Sequence, residues 1–531
     1  MADLREVEIR QRHLVAAFVS LATMVALGCG TPAPRHVILV VVDTMRGDHM
    51  SCVGGPVETP HLDALADDGV LFTQARSTAP ITGPSHSSLF TGLFVHEHGV
   101  TNNAQILADD HVTLAEVAQE HGLATSAFVS LGVLRRTFGF GQGFDSYDLS
   151  LDGRWWRTAG EVNDAVFPAL DRHESGNRNL LFVHYSDPHA PYGAPGRDVP
   201  TVGISPSSTG ETRLVAADAG VKAIDIAFDE GRSTIRFDMA RGESLGRRGL
   251  LFHTQKLPQG ATIREGAGAR MLSGGVRPLF KIRPPAELVI EADGARGAGT
   301  DQMKFILRRN LDNEQSRVEY RAEVEYVDRE IGRLVARLKD QGMYDEAVLI
   351  VTADHGEGLG DHDLMGHIHQ LYDSLLHVPL IIVAPGHLKP GLVVEDPVSL
   401  VDILPTVGDL MAWELPGETS GRSLLPLTRG SSIGDKPFLA ATARPQSRQN
   451  LEALIDGGLK LIVDPDTQAV ELYDLAEDPG ELQNLSTHRP DEAARRLELL
   501  QHLIEGRVDD GEWVDLDDET KAKLEALGYV H

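Results

Sequence analysis

The sequence predicts an α/β protein: a large, mostly parallel central sheet flanked by helices, with a β-rich insert and a small C-terminal α/β subdomain. Three observations carry this reading. Unbroken apolar runs recur along the chain, helical segments lie between them, and metal-capable polar residues follow the runs directly. Apolar runs without alternation are strands covered on both faces, the condition of a parallel sheet. Strands alternating with helices define the α/β class. Ligands of such sheets gather beyond the carboxyl ends of the strands.

The first run, residues 36–42, ends at Asp43. The second, 180–183, leads to His184, Asp187 and His189. The third, 347–351, is followed by Asp354 and His355, and the fourth covers 378–383. The clearest helix spans 316–339, where Val318, Ala322, Val327, Ile331, Leu334, Val335 and Leu338 recur at three- and four-residue spacing before Gly342. Residues 34–195 and 313–434 are therefore expected to form one catalytic domain. Between them, 196–312 gain glycine and arginine, and short alternating runs at 224–228, 235–239 and 288–292 predict antiparallel strands. This insert is expected to be structural rather than ligand-binding. In the C-terminal subdomain, 435–531, runs at 459–463 and 469–473 bracket the turn signal Asp464-Pro465-Asp466, and a helix is expected near 492–505.

A chain of 531 residues suits one large catalytic domain with added modules. The formal net charge of −29 repels phosphate backbones, so nucleic acid is excluded as a partner. An anionic substrate must be drawn in by local cations, metal or histidine. Two cysteines, Cys29 and Cys52, give no disulfide framework. Arg5, Arg10 and Arg12 precede an apolar stretch over 14–27, followed by Gly28-Cys29. Residues 1–29 therefore read as a secretory signal peptide, and Ala26-Leu27-Gly28-Cys29 resembles a lipoprotein signal with Cys29 as the lipidated residue. The expected location is the periplasm or outer envelope, with membrane contact only through that lipid anchor, or otherwise secreted.

The chemistry centres on residues 79–92. Thr82 lies just before an expected helix whose first turn carries Pro84. The free N–H groups of that turn form an anion site, and a hydroxyl beside it suits attack on a phosphate or sulfate ester. The competing role for Thr82 is a helix cap. A carboxylate and an imidazole at one strand end, Asp354-His355, suit a divalent metal, and Asp43 supplies a second carboxylate. Asp43, Asp354 and His355, with the Thr82 oxygen, make a plausible metal site that would lower the pKa of the hydroxyl.

At this point the chain closely resembles the sulfatase family of the alkaline phosphatase superfamily. The resemblance rests on residues 41–49, 82–92, 184–192 and 354–362, on Gly366-His367 leading to Leu371-Tyr372-Asp373 and to 377–380, and on 471–475 with 478–481 and 484–485. It implies a central α/β domain, a smaller C-terminal α/β subdomain and hydrolysis of ester substrates, small molecules or glycans. It also implies that His189 contacts the transferred group or protonates the leaving oxygen, that His367 contacts substrate, and that His86, where the family has arginine, helps bind the anion. His184 and His362 are weaker candidates for orienting ligands, Asp187 is a candidate for a second metal site, and Ser85 is the fallback hydroxyl. The family carries a Cys or Ser, oxidised to formylglycine, at the Thr82 position. Threonine cannot become that aldehyde, so no formylglycine is expected. Thr nucleophiles are the pattern of related phosphodiesterases and phospho-group transferases. Imidazole at His355 favours Mn²⁺ or Zn²⁺ over Ca²⁺ as the one divalent metal. The leading expectation is a metal-dependent hydrolase of sulfate or phosphate/phosphonate esters acting through a covalent Thr82 intermediate. Two alternatives stay open: a phospho-group transferase acting on envelope glycans or lipids, and a non-catalytic glycan-binding relative.

Overall fold

The computed structural model describes residues 32–514, apart from 152–155, 173–175, 190–191, 193–201, 418, 435 and the connections between the strands of 202–312. The expected leader with Cys29 and the chain after 514 lie outside the described residues.

Strand β1 (His36–Val42) is buried along all 7 residues, as its uninterrupted apolar sequence requires. Each such side chain contributes about 1.5–3 kcal/mol when withdrawn from water. It sits near the middle of an eight-stranded sheet. The other strands are β2 (Val70–Phe72), β3 (Ala124–Phe128), β4 (Ser146–Asp148), β5 (Asn179–Tyr185), β6 (Ala347–Ala353), β7 (Leu380–Val383) and β8 (Leu392–Val394). The order is β8-β2-β7-β6-β1-β5-β3-β4. β1 pairs in parallel with β6 and β5, and β5-β3, β3-β4 and β2-β8 are also parallel. Only β7 runs against both its neighbours, β6 and β2. The sheet is therefore mixed and mostly parallel.

Helices α1 (Pro60–Asp68), α2 (Thr82–Thr91), α3 (Leu114–Glu120), α4 (Ala159–Asp171), α5 (Asn313–Asp340) and α6 (Ile403–Met411) belong to this domain. α5 packs against α1 and α4. Its buried Tyr320, Val324, Val327, Ile331, Leu334 and Leu338 keep helical spacing. Among the described residues no helix is long and apolar enough to cross a membrane.

Between β5 and α5, strands form two five-stranded sheets. The runs expected at 224–228 and 235–239 lie in the paired strands Val221–Asp229 and Arg232–Met239, and the run at 288–292 in Ala286–Ala292. All pairings in these two sheets are antiparallel.

The C-terminal region is an antiparallel sheet, β9 (Phe438–Thr442), β10 (Leu451–Asp456), β11 (Leu459–Asp464) and β12 (Ala469–Asp474), in sequence order. Helix α7 (Pro490–Leu503) packs on β10, β11 and β12. A buried ion cluster ties this sheet to the central domain. Lys460 Nζ lies 2.9 Å from Asp373 Oδ1 and 2.7 Å from Glu481 Oε1. Arg76 pairs with Asp373 at 2.8 Å.

Candidate active site

The three strand ends define the site. Val42 of β1 is level with Ala353 of β6 and Tyr185 of β5, so Asp43 and Asp354 follow their strands at the same height. Both are fully buried. After Asp43 the chain turns sharply through Thr44, whose φ of 60° is left-handed. A β-branched residue there is strained. The turn aims the Thr44 N–H at Asp354 Oδ1, 3.2 Å away. The His355 N–H donates to the same oxygen at 2.8 Å. Asp354 Oδ1 is thus anchored, while Oδ2 has no hydrogen-bond partner.

His355 Nδ1 sits 2.9 Å from the Gly356 carbonyl oxygen. A carbonyl only accepts, so Nδ1 carries the proton and Nε2 keeps its lone pair. That Nε2 lies 3.6 Å from Asp354 Oδ2 and 3.9 Å from Asp43 Oδ1. Both Asp43 oxygens and His355 Nε2 lack hydrogen-bond partners. One ligand atom from each of Asp43, Asp354 and His355 falls within 4.8 Å of the others. Buried polar atoms without partners are expensive, and two carboxylates facing an imidazole lone pair are the donor set of a divalent cation. The residues present therefore fit a metal ion. Electrostatics agree. Burial, then Asp354 and Glu357, push the Asp43 carboxyl well above its usual range. Burial pushes Asp354 to about 6, against the lowering effect of His86 and of backbone N–H groups. Burial, then His367, push His355 down to about 3. A cation reverses the penalty on the carboxylates.

Helix α2 begins at Thr82 itself rather than after it, and all 10 of its residues are buried. Ile81 holds the cap position and no side chain caps this end. The capping role for Thr82 is therefore not what the structure shows. Thr82 Oγ1 is buried with no hydrogen-bond partner. Ser85 differs: its hydroxyl donates to the Asp354 carbonyl at 2.6 Å. The fallback hydroxyl is thus engaged in fixing α2 to the end of β6.

The remaining candidates divide into those brought to the cluster and those drawn away. His86 Nδ1 is 3.6 Å from Asp354 Oδ2, and His184 Nε2 is 3.8 Å from Asp43 Oδ2. The His367 ring lies 4.6 Å from that of His355 and 4.9 Å from that of His189, centroid to centroid. His367 Nδ1 is 3.2 Å from Glu357 Oε1. Asp187 instead accepts the Ala159 N–H at 2.8 Å at the start of α4, with its carboxyl raised to about 7 by burial. His362 also leaves the cluster, stacking on Tyr372 at 3.7 Å with Nε2 3.0 Å from the Gly480 carbonyl. Asp48 is held by Arg46 and His49.

Sequence reasoning missed Asn103. Its Oδ1 accepts the Gly83 N–H at 2.7 Å, and a Cβ on Gly83 would come within 2.8 Å of that oxygen. Asn103 thus fixes the backbone next to Thr82, and its buried Nδ2 has no hydrogen-bond partner. Nothing in its own neighbourhood marks it; only the contact with Gly83 does.

Comparison with known proteins identifies the family. The family profile "Sulfatase" matches residues 35–412, and "N-sulphoglucosamine sulphohydrolase, C-terminal" matches 360–509. The chain is 24% identical over 538 residues to an N-acetylglucosamine-6-O-sulfatase of Bacteroides thetaiotaomicron, covering 94% of this chain and 92% of that one. It is 25% identical over 505 residues to human arylsulfatase K, covering 90% and 84%. Among solved structures, one in complex with its substrate D-glucosamine-2-N,6-O-disulfate superposes with a TM-score of 0.62 at 19% identity, covering 90% of this chain and 99% of that one. The phosphonate monoester hydrolase of Agrobacterium radiobacter gives a TM-score of 0.60 at 20% identity, covering 90% and 97%. With the family profile spanning well over half of its length, this chain belongs to the sulfatase family of ester hydrolases.

Proposed function

We propose that the chain hydrolyses sulfate or phosphate/phosphonate esters with Thr82 as nucleophile. The observation that carries this reading is the unpartnered, fully buried Thr82 Oγ1 on the helix that packs against Asp354. Asp43, Asp354 and His355 would hold a divalent cation. That cation supplies acidity to the hydroxyl and charge stabilisation to the ester oxygens; a mixed carboxylate and imidazole set suits Mn²⁺ or Zn²⁺.

Thr82 Oγ1 attacks the sulfur or phosphorus centre, its proton passing to solvent, and the bond to the leaving-group oxygen breaks. His189 gives a proton to that oxygen. Water then attacks the Thr82 ester and gives a proton back to His189, and the Thr82 oxygen leaves and takes up a proton as sulfate, phosphate or phosphonate is released. Because threonine offers no aldehyde hydrate, release depends on this water. Asn103 holds the Gly83 backbone so that Thr82 keeps one orientation. His367, beside both His189 and His355, is placed to touch the substrate. The N-acetylglucosamine-6-O-sulfatase relative and the structure bound to a glucosamine disulfate support a sugar ester as substrate class. An envelope location, through the N-terminal leader, fits such a substrate.

The test is a side-by-side assay of aryl sulfate, phosphate mono- and diesters and phosphonate esters with Mn²⁺, Zn²⁺ and Ca²⁺. Turnover of at least one class is expected, with Thr82→Ala losing about 10³-fold or more in kcat. Intact-mass analysis of a quenched reaction should show the transferred group on Thr82. Full activity of Thr82→Ala would end the proposal.

A further inference from the structure

The two antiparallel sheets of the insert have the same number of strands and differ in charge. In the first, Thr212–Ala216, Val221–Asp229, Arg232–Met239, Ala286–Ala292 and Ala261–Glu265 carry both signs, and the ladder matches them. Arg236 stands between Asp225 and Glu287, and Arg232 between Asp229 and Glu291. The second sheet is built of Val202–Ile204, Leu250–Lys256, Ala269–Ser273, Leu279–Ile282 and Met303–Arg309. These strands contain Lys256, Arg270, Lys281, Lys304, Arg308 and Arg309 and no aspartate or glutamate. An all-cationic sheet thus lies within a chain of net charge −29.

Register places the cations together. Arg270, Lys281, Leu251 and Arg308 form one row across adjacent strands. Strands about 4.8 Å apart give that row a length of roughly 14 Å. Lys304 shares a face with Arg308 by the two-residue period and stands opposite Lys256. The neighbouring row, Met271, Phe280, Phe252 and Leu307, is wholly apolar and lies on the other face. One apolar and one polar face is the pattern of a half-covered antiparallel sheet.

Folding alone gives no reason for the cationic face. Like charges directly opposite one another weaken a ladder, and Arg270 with Lys281, and Lys256 with Lys304, are direct partners. Lysine on an edge strand guards against aggregation. Here the edges are Ala269–Ser273 and Val202–Ile204, while Lys256, Lys281, Lys304 and Arg308 lie on inner strands. A row of this length matches several anions spaced along one extended chain, not a single ion.

We propose that this face of the insert docks a sulfated polysaccharide. The insert then has a binding role in place of the structural one expected from sequence. Sulfate as the anion rests on the sugar-ester reading of the active site; the charge pattern stands without it. Cations that displace counterions condensed on the polymer make such binding weaken as salt rises.

The experiment measures binding by the full chain, without turnover. Heparin, the carboxylate polymer hyaluronan, double-stranded DNA and phosphatidylglycerol vesicles are the probes, each at several salt concentrations. Heparin is expected to bind most tightly. Lys281→Glu/Arg308→Glu should weaken heparin binding by about tenfold or more and flatten its salt dependence. Lys389→Glu/Arg429→Glu, the same charge change at exposed positions of the catalytic domain, should not. Heparin binding that is absent, or unchanged in a folded Lys281→Glu/Arg308→Glu protein, would overturn the proposal. So would DNA, hyaluronan or vesicles bound as tightly as heparin. Each of these results leaves the ester-hydrolase reading standing, because no residue of the candidate active site is altered. Circular dichroism checks folding. Should the variant misfold, lysine acetylation of the wild type decides: heparin should shield Lys256, Lys281 and Lys304 more than Lys389, and equal labelling would overturn the proposal.

Discussion

The cluster around Lys460 and the cluster around Asp354 are both buried, and each contains two carboxylates, yet their chemistry differs. Asp373 and Glu481 meet two cations, Lys460 and Arg76, at hydrogen-bonding distance. Burial alone would raise Asp373, and Arg76 and Lys460 reverse this, holding it well below the usual carboxylate range. Asp43 and Asp354 meet three neutral imidazoles, no lysine or arginine among the described residues that pair with them, and both are pushed upward. One cluster brings its own cations and joins two sheets. The other is short of positive charge and leaves lone pairs exposed to one another. A charge deficit of this kind marks a binding site, because folding alone gives no reason to bury it.

The largest expected effect tests that deficit directly. Asp354→Asn removes a charge that the proposed cation site uses; it should abolish high-affinity Zn²⁺ binding in calorimetry and lower kcat/KM by about 10³-fold or more. The protein should stay folded. In the other cluster, Lys460→Met leaves Asp373 and Glu481 short of a partner. It should cost about 3–5 kcal/mol in denaturant unfolding while metal stoichiometry stays that of the wild type. If Lys460→Met also removes metal, the two clusters are not independent. A smaller effect is expected from Asn103→Ala, which frees the Gly83 N–H. About 10²-fold in kcat should be lost through misplacement of Thr82, with KM and the melting temperature nearly unchanged.

The smallest effect is a matter of sign. Asp373 has a depressed pKa in the folded protein, so its stabilisation is present above about pH 4 and is lost as pH falls. Asp354 is raised to about 6, so in metal-free protein its contribution is present below about pH 4 and is lost as pH rises through about 6. Thermal scans of stripped wild-type and Asp354→Asn protein should therefore diverge as pH rises from 4 to 7, the variant becoming relatively more stable. Added Zn²⁺ should stabilise only the wild type. Equal pH profiles would remove the contrast between the clusters.

The sequence made the strands legible because β1, β5 and β6 are buried on both faces and need uninterrupted apolar runs. The long helix was legible from its periodicity, expected over 316–339 and found at Asn313–Asp340. Strand direction was not: the run at 378–383 contains β7, which is antiparallel to its neighbours, and an apolar run reads the same both ways. At the site, Asp43, Asp354 and His355 were visible because each follows a strand directly. Asp187 also follows a strand, but a helix start close by takes its Oδ2, leaving only Oδ1 without a partner. The pairing of His86 with His184 and the bond from Gly83 to Asn103 depend on folded contacts between separate segments, so no local pattern announces them.

The level register of β1, β5 and β6 has one more consequence. Because Asp43 and Asp354 are set by the last rungs of two ladders, a slip of one residue in either would turn a carboxylate to the opposite face of the sheet. The groups proposed to hold the cation are therefore assembled only after strands more than 300 positions apart in the chain have aligned correctly. Uptake of a cation would then serve as a clock for refolding: its appearance dates the moment when the centre of the sheet reaches its final alignment, whatever the outlying strands are doing.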